Sequence, residues 1–175
     1  MCSTHTSFTG SIPENYDTYL GPVLFEFTPA DMARRVAKAV DGPVRILEAA
    51  CGAGISTRHL ANALPAGSEI IATDLNEAML AHARQVNGEL TGVKYSQADA
   101  LDLPYDDESF DAVVCQFGIM FFPDKSKGMG EMNRTTRPGG ISRAKRLGPF
   151  TDNPVVGVID TVIKAFFASS APRFF

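Results

Sequence analysis

VRILEAACGAGIST, residues 44–57, joins a short apolar run to a glycine-rich turn and decides the predicted fold. The run is mostly β-branched or aliphatic, is too short for a helix and follows a Gly-Pro pair, which predicts a buried strand. From Ile55 onward the apolar residues recur close to the helical period until Pro65 ends the pattern. This stretch therefore predicts a strand, a Gly-x-Gly turn and a helix.

The predicted turn suits a ligand with a polar end. Gly52 and Gly54 allow a ligand to approach the backbone, and the free N–H groups of the helix start point toward it. A second apolar strand, residues 69–73, ends in Asp74, roughly 20 residues beyond the turn. An acid at that position reaches ribose hydroxyls, so the pattern implies a ligand that contains a nucleoside.

Thr57 distinguishes between two classes of nucleoside ligand. The dinucleotide fingerprint needs a third glycine at this position, because pyrophosphate binding draws the helix tightly onto the strand. A nicotinamide dehydrogenase is therefore disfavoured. The acidic residue followed by a glycine-rich turn, Glu48 to Gly54, instead resembles the first motif of the class I S-adenosylmethionine-dependent methyltransferases.

The resemblance implies S-adenosylmethionine as the cofactor and a Rossmann-like α/β fold, with a doubly wound, mainly parallel sheet in three layers. Asp74 would then contact the cofactor's ribose. The methionine end of the cofactor would lie at the glycine turn, against Glu48, Ala50, Gly52, Gly54 and Thr57.

The resemblance also places residues against the adenine and the sulfonium. Leu75 and Met79 would contact the adenine, although a Met on a helical stripe also packs between helix and sheet. Asp99 would bind the adenine amino group beside Ala100, and its alternative role is to cap a turn. Gln116 faces the sulfonium, because the first and fourth strands of a doubly wound sheet flank the crevice.

Aromatic residues are concentrated in two segments outside that site. Met120, Phe121 and Phe122 follow the fourth strand and are expected on the acceptor side. Near the amino terminus, the resemblance implies an arm that folds over the cofactor mouth, from which Tyr16 and Tyr19 would reach the bound cofactor; alternatively, both rings anchor the arm onto the core. Of these two, we name Tyr19 as a cofactor-binding residue.

The sequence departs from the family pattern at its carboxyl end. After the Arg-Pro-Gly-Gly segment at 137–140, the expected fifth strand carries three cations in residues 141–147, which are expensive to bury. It is therefore either an exposed edge strand or an irregular segment. A last helix is predicted over residues 154–167, and no sequence is left for the closing β6-β7 hairpin. The open edges, together with Phe174 and Phe175, suggest a homodimer.

Composition excludes several partner classes. The 175 residues carry a net charge of -4 with cations and anions interleaved, which disfavours nucleic acid and anionic membranes as partners. No apolar run approaches the roughly 18 residues of a membrane span, and the amino terminus lacks a signal-peptide pattern, so we expect a cytoplasmic protein. The three cysteines lack the spacing of a metal site.

We divide the chain into an arm, residues 1–27, and a single Rossmann-like domain, residues 28–175.

Methyl transfer from a sulfonium depends mainly on placing the acceptor and excluding water, so it does not require a base. His59 and His82 fall on the crossover helices and are expected at the surface, and we assign no catalytic residue. The leading hypothesis is an S-adenosylmethionine-dependent methyltransferase acting on a small-molecule acceptor. The alternative is a cofactor-binding, catalytically inactive protein that has lost the acceptor pocket.

Overall fold

The computed structural model describes residues 27–148 continuously, together with residues 14, 18, 19, 152, 157, 158, 161, 162 and 165. The chain divides into two compact units, residues 1–145 and 146–175. Within the second unit, the described residues 157, 158, 161, 162 and 165 are helical, and the rest of the predicted helix at 154–167 lies outside the described residues. The predicted division into an arm and a domain stays a prediction, as does the homodimer.

Helices and strands alternate through most of the first unit, as the apolar patterns predict. The elements in chain order are α1 (Phe27–Ala37), β1 (Arg45–Ala49), α2 (Ile55–Ala63), β2 (Glu69–Asp74), α3 (Glu77–Asn87), β3 (Val93–Gln97), β4 (Phe110–Gln116), a 3₁₀ helix (Gly118–Phe121), α4 (Lys125–Thr135) and β5 (Thr136–Lys145). None of the helices among these residues is long and apolar enough to cross a bilayer.

The five strands form one parallel sheet in the order β3-β2-β1-β4-β5. Ile46 of β1 pairs with Ile70 on one side and with Ala112 on the other, so the strand order reverses between β1 and β4. Helices α1, α2 and α3 pack an apolar core on one face, and α4 packs a second core on the other face. The predicted three-layer, doubly wound fold is confirmed, and it places a crevice at the carboxyl ends of β1 and β4.

β5 is an edge strand of this sheet, which confirms the first of the two predicted alternatives for residues 141–147. Among the described residues it pairs with β4 alone. Its register shifts between Phe110 and Ala112 because the Pro-Gly-Gly segment loops out, with Gly139 at a positive φ of 78°. An edge position leaves the cations of β5 near solvent, where they hinder pairing with a foreign strand. The described residues contain no strand after β5.

The first turn of α1 has no side-chain cap from Thr28. The helix already includes Phe27, and the buried Thr28 Oγ1 has no hydrogen-bond partner, so this hydroxyl does not cap. Asp31 instead binds the two arginines one turn further on, with its Oδ2 2.8 Å from Arg35 Nε and its Oδ1 2.5 Å from Arg34. The helix ends at Ala37.

Candidate functional site

A crevice opens where the carboxyl ends of β1, β2 and β4 meet, and the loops after these strands line it. Nine of the twelve predicted cofactor-binding residues line this crevice: Glu48, Ala50, Gly52, Asp74, Leu75, Met79, Asp99, Ala100 and Gln116. The fold therefore brings together residues that are up to about 70 positions apart, because parallel strands end at the same edge of a sheet.

The turn after β1 is built from left-handed backbone. Ala50, Gly52 and Gly54 have φ values of 55°, 57° and 79°, which only glycine adopts without strain. A Cβ added at Gly52 would meet only Met79 Cε, at 3.5 Å, so this glycine leaves space for a ligand at the crevice. Ala50 carries the strain of a positive φ at the same place, as residues at binding sites often do.

Asp74 ties the glycine turn to β2. Its Oδ2 accepts a hydrogen bond from Gly52 N at 2.9 Å, and its Oδ1 accepts from Asn76 N at 2.9 Å. Burial raises the pKa of this carboxyl, and the backbone hydrogen bonds partly oppose that rise. Asn76 in turn caps α3 by accepting from Ala78 N. Asp74 is thus held in one orientation before any ligand arrives.

Glu48 is completely buried in β1, and Thr57 donates its hydroxyl to Glu48 Oε2 over 2.6 Å. Burial raises the pKa of Glu48 to about 7, and the Thr57 hydrogen bond works against that rise. The other oxygen, Oε1, is buried without a hydrogen-bond partner. Ser56 Oγ, on the first turn of α2, lies near enough to this carboxyl to lower its pKa, but it is buried without a well-aligned hydrogen bond, and both residues line the crevice.

Thr57 and Gly54 were predicted to touch the cofactor, and the structure places neither among the crevice-lining residues. Thr57 lies behind Glu48 and orients it. The Gly54 carbonyl accepts from Asn87 Nδ2 at 3.1 Å, and a Cβ at Gly54 would collide with that amide and lie 3.1 Å from Tyr95 Oη. Gly54 therefore serves the packing of α3 and β3 against the turn, and its contact with the cofactor stays a prediction.

The predicted adenine residues line the crevice, and some have structural contacts as well. The Leu75 side chain is 57% exposed at the mouth, whereas Met79 is buried and packs beneath Gly52. Asp99 Oδ1 accepts from Leu101 N at 2.8 Å, so Asp99 caps a turn and also borders the crevice. Both predicted interpretations of Met79 and Asp99 are thus compatible with the geometry.

The β4 side of the crevice is apolar except for Gln116. Neither Oε1 nor Nε2 of Gln116 has a hydrogen-bond partner, although both atoms are buried. Phe117, Phe121, Phe122 and Pro123 continue this side, while Met120 is not among the lining residues.

Tyr19 is 69% exposed and does not line the crevice, so the predicted contact with the cofactor finds no support in the structure. An aromatic ring so exposed does not anchor an arm on the core either. Tyr16 lies outside the described residues. His59 and His82 lie on α2 and α3, where both are half-buried rather than exposed at the surface, and neither lines the crevice.

The electrostatics of the crevice favour a cationic ligand. Its described lining carries three carboxyl groups, Glu48, Asp74 and Asp99, and no lysine or arginine. A pyrophosphate would be repelled there, whereas an ammonium or a sulfonium would be attracted. The described part of the chain holds no cluster of three or more His, Cys, Asp or Glu that could bind a metal ion.

Comparison with protein families agrees with this geometry, because the family model of the methyltransferase domain matches residues 47–144. This chain belongs to the S-adenosylmethionine-dependent methyltransferases. The match runs from β1 into β5 and includes every strand of the sheet.

Curated methyltransferases related to the chain share a specific name. A demethylmenaquinone methyltransferase from Deinococcus radiodurans is 36% identical over 144 residues, which cover 80% of this chain and 58% of the relative. One from Staphylococcus carnosus is 30% identical over 166 residues, covering 94% of this chain and 67% of the relative. The chain thus spans about three fifths to two thirds of the length of these two relatives.

Solved methyltransferase structures share the fold. A SAM-dependent methyltransferase from Aquifex aeolicus superposes with a TM-score of 0.62 at 21% identity, over 75% of this chain and 69% of that one. S-adenosylmethionine is the cofactor of this methyltransferase family, and the crevice fits it on two counts. The buried oxygens of Glu48 and Ser56 have no well-aligned hydrogen bond and could each accept one from an ammonium group, and the three carboxyl groups suit a cation.

Proposed function

We propose that the chain binds S-adenosylmethionine in this crevice and methylates a small, apolar, oxygen-bearing molecule of the quinone type. The observation that carries the proposal is the charge of the lining, which has three carboxyl groups and no cation among the described residues. When bound, S-adenosylmethionine supplies a methyl group on a cationic sulfur. A lining of this charge attracts that cofactor and disfavours nicotinamide dinucleotides, which carry a pyrophosphate.

Each end of the cofactor has candidate partners in this chain. Asp74 would accept from ribose hydroxyls with the lone pairs that its two backbone donors leave unused. Leu75 would cover the adenine, and the second oxygen of Asp99 would bind its amino group. Glu48 Oε1 and Ser56 Oγ would bind the amino-acid end. Thr57 would keep Glu48 in place for that contact.

The acceptor class is inferred from the relatives and from the β4 side of the crevice. Demethylmenaquinone, in the names of the relatives, is an apolar quinone. Phe117, Phe121 and Phe122 offer aromatic surface against which a flat ring can stack. These side chains would position the ring and exclude water, and such positioning accounts for most of the rate when no base takes part.

Calorimetry with S-adenosylhomocysteine tests the cofactor site. The Asp74→Ala variant loses the acceptor for two backbone N–H groups and for the ribose, so we expect binding to weaken roughly 100-fold. Asp74→Asn retains a carbonyl oxygen and should lose less. Asp41→Ala, an exposed acid before β1 with no role in the crevice, should bind like the wild type.

Methyl transfer is then measured with radiolabelled S-adenosylmethionine and a short-chain demethylmenaquinone, reduced and kept anaerobic. Labelled product that disappears with Asp74→Ala and persists with Asp41→Ala is the expected result. Cofactor binding without any product would favour the catalytically inactive alternative. A folded wild-type chain that binds neither S-adenosylhomocysteine nor S-adenosylmethionine would contradict the proposal entirely.

A further inference from the structure

Gln116 is a half-buried residue whose carboxamide nitrogen and oxygen are both buried in the wall of the crevice. A carboxamide offers two N–H donors and an oxygen with two lone pairs, yet neither its nitrogen nor its oxygen has a partner. Burying such a group without partners is unfavourable, because the group gives up its hydrogen bonds to water. A side chain that destabilises the free protein in this way points to a ligand that satisfies it.

The fold places this amide on the β4 side of the crevice, away from the strands that carry the predicted adenosine contacts. Gln116 is the last residue of β4, which pairs with β1 and β5, whereas Asp74 ends β2 on the opposite side of β1. The chain then continues directly into the aromatic residues Phe117, Phe121 and Phe122. The amide is therefore the one polar side chain on an aromatic surface among the described lining residues of this side.

A sulfonium, which the sequence placed opposite Gln116, cannot satisfy the amide. The cationic sulfur has no N–H or O–H to donate and is a very poor acceptor, so the two N–H groups and the oxygen of Gln116 would stay unpaired. An oxygen substituent satisfies them: a carbonyl accepts from Nε2, and a hydroxyl can also donate to Oε1. The surrounding phenylalanines require that the oxygen be attached to an apolar body.

We propose that Gln116 binds the methyl acceptor through a hydroxyl or carbonyl oxygen on a flat apolar ring, and so selects acceptors that carry this oxygen. The inference rests on the proposed function, because it assigns the β4 side of the same crevice to the acceptor. It gives Gln116 a role in acceptor recognition and leaves cofactor affinity to the residues of β1, β2 and α2.

A comparison of two ligands with two proteins tests the proposal. The ligands are 1-naphthol and naphthalene, which differ by one hydroxyl, and the proteins are the wild type and Gln116→Met, which differ by the amide at similar length. With S-adenosylhomocysteine bound, we expect Gln116→Met to weaken 1-naphthol binding about 10-fold, the worth of one or two neutral hydrogen bonds, and to leave naphthalene within 2-fold. Affinity for S-adenosylhomocysteine itself should also stay within 2-fold.

Ser142→Ala is the matched control. Like the amide atoms of Gln116, Ser142 Oγ is buried without a hydrogen-bond partner, but Ser142 does not line the crevice. This variant should bind both ligands like the wild type. Without ligand, Gln116→Met should unfold at a higher temperature than the wild type, because it removes an unsatisfied buried amide. A purely structural role for Gln116 predicts the opposite shift.

Three results would overturn the inference. Equal losses for 1-naphthol and naphthalene would mean that the substitution changes only the shape of the crevice. A parallel loss of S-adenosylhomocysteine affinity would make Gln116 a cofactor residue, and failure of the wild type to bind 1-naphthol would remove the acceptor site. These results can be told apart from a failure of the proposed function, because that function would fail in the experiments on cofactor binding or on methyl transfer.

Discussion

The two sides of the crevice differ in how many of their polar groups are hydrogen-bonded within the protein, although Glu48 Oε1 and Ser56 Oγ on the β1–β2 side have no well-aligned bond. On the β1–β2 side the polar groups largely bind one another: Asp74 holds the Gly52 and Asn76 N–H groups, and Thr57 holds Glu48. On the β4 side the single amide is left unpaired among aromatic rings. The first side is charged and organised in advance, whereas the second is neutral and becomes satisfied only with a ligand.

This difference gives the two sides different energetic roles in binding the cofactor and the acceptor. Groups that are already oriented lose little entropy when they bind, so the β1–β2 side suits a cofactor that must be held in one pose. An unpaired amide on an apolar surface contributes mainly to discrimination, because a ligand without a matching oxygen leaves it unsatisfied. The comparison can therefore be tested by changing one side at a time.

The largest expected effect is a pH-dependent gain of stability in Glu48→Gln. The pKa of Glu48 is raised to about 7 in the folded protein from its ordinary 4.5, because the carboxyl is buried. Between those values the folded state holds more protons than the unfolded state, so the wild-type free energy of unfolding falls as pH rises through this window. Glutamine has no charge to bury, and at pH 8 the variant should be more stable by about 3 kcal/mol.

Urea denaturation at pH 5 and pH 8 checks this prediction. The variant and the wild type should differ little at pH 5, where Glu48 is protonated in the folded protein. The variant should also bind S-adenosylhomocysteine more weakly at pH 8, since it loses the charge opposite the ammonium group. A constant stability difference between pH 5 and pH 8 would show that Glu48 does not titrate in this window.

The next effect distinguishes the two glycines of the turn. Gly54→Ala should lower the free energy of unfolding by about 2 kcal/mol, because the Cβ collides with Asn87 at a positive φ of 79°. Gly52→Ala has space for its Cβ and should lose only about 1 kcal/mol to its positive φ. Its cofactor affinity should fall instead, since the methyl group enters the crevice.

Urea denaturation and calorimetry on both variants measure the two effects separately. The double variant Gly54→Ala, Asn87→Ala removes the collision and should recover part of the lost stability. If Gly52→Ala binds S-adenosylhomocysteine as tightly as the wild type, then Gly52 does not face the cofactor.

Much of the site follows from the sequence because strand ends are easy to locate. Glu48, Asp74 and Gln116 each end or nearly end an apolar run, and parallel strands bring such positions to one edge. Spacing alone does not show which way a turn residue points, so Gly54 was placed in the crevice and is instead packed against Asn87. Ser56 carries no pattern of its own, and only its burial beside Glu48 makes it a candidate.

The fifth strand shows that sequence patterns leave part of the fold undetermined as well. Its three cations reveal that it is not a central strand, but the choice between an edge strand and a loop depends on its pairing with β4. Similarly, the sequence predicts Gln116 at the crevice, whereas the lack of partners for its amide emerges only in the folded structure, where Gln116 pairs with Lys145 of β5. Contacts between elements that are distant in the sequence are therefore what sequence patterns do not predict.

The smallest expected effect concerns the β4 side, through Phe121. Its ring is 51% exposed at the crevice, so Phe121→Ala should change the free energy of unfolding by less than about 1 kcal/mol. The ring offers a stacking face to an aromatic acceptor, and its loss should weaken binding of both 1-naphthol and naphthalene about 5-fold. Equal losses are expected because stacking does not depend on the hydroxyl, in contrast to Gln116→Met.

Val86→Ala, a substitution of an exposed apolar residue on α3, should leave both affinities unchanged. If Phe121→Ala instead weakened S-adenosylhomocysteine and spared both naphthalene ligands, the assignment of the β4 side to the acceptor would be wrong.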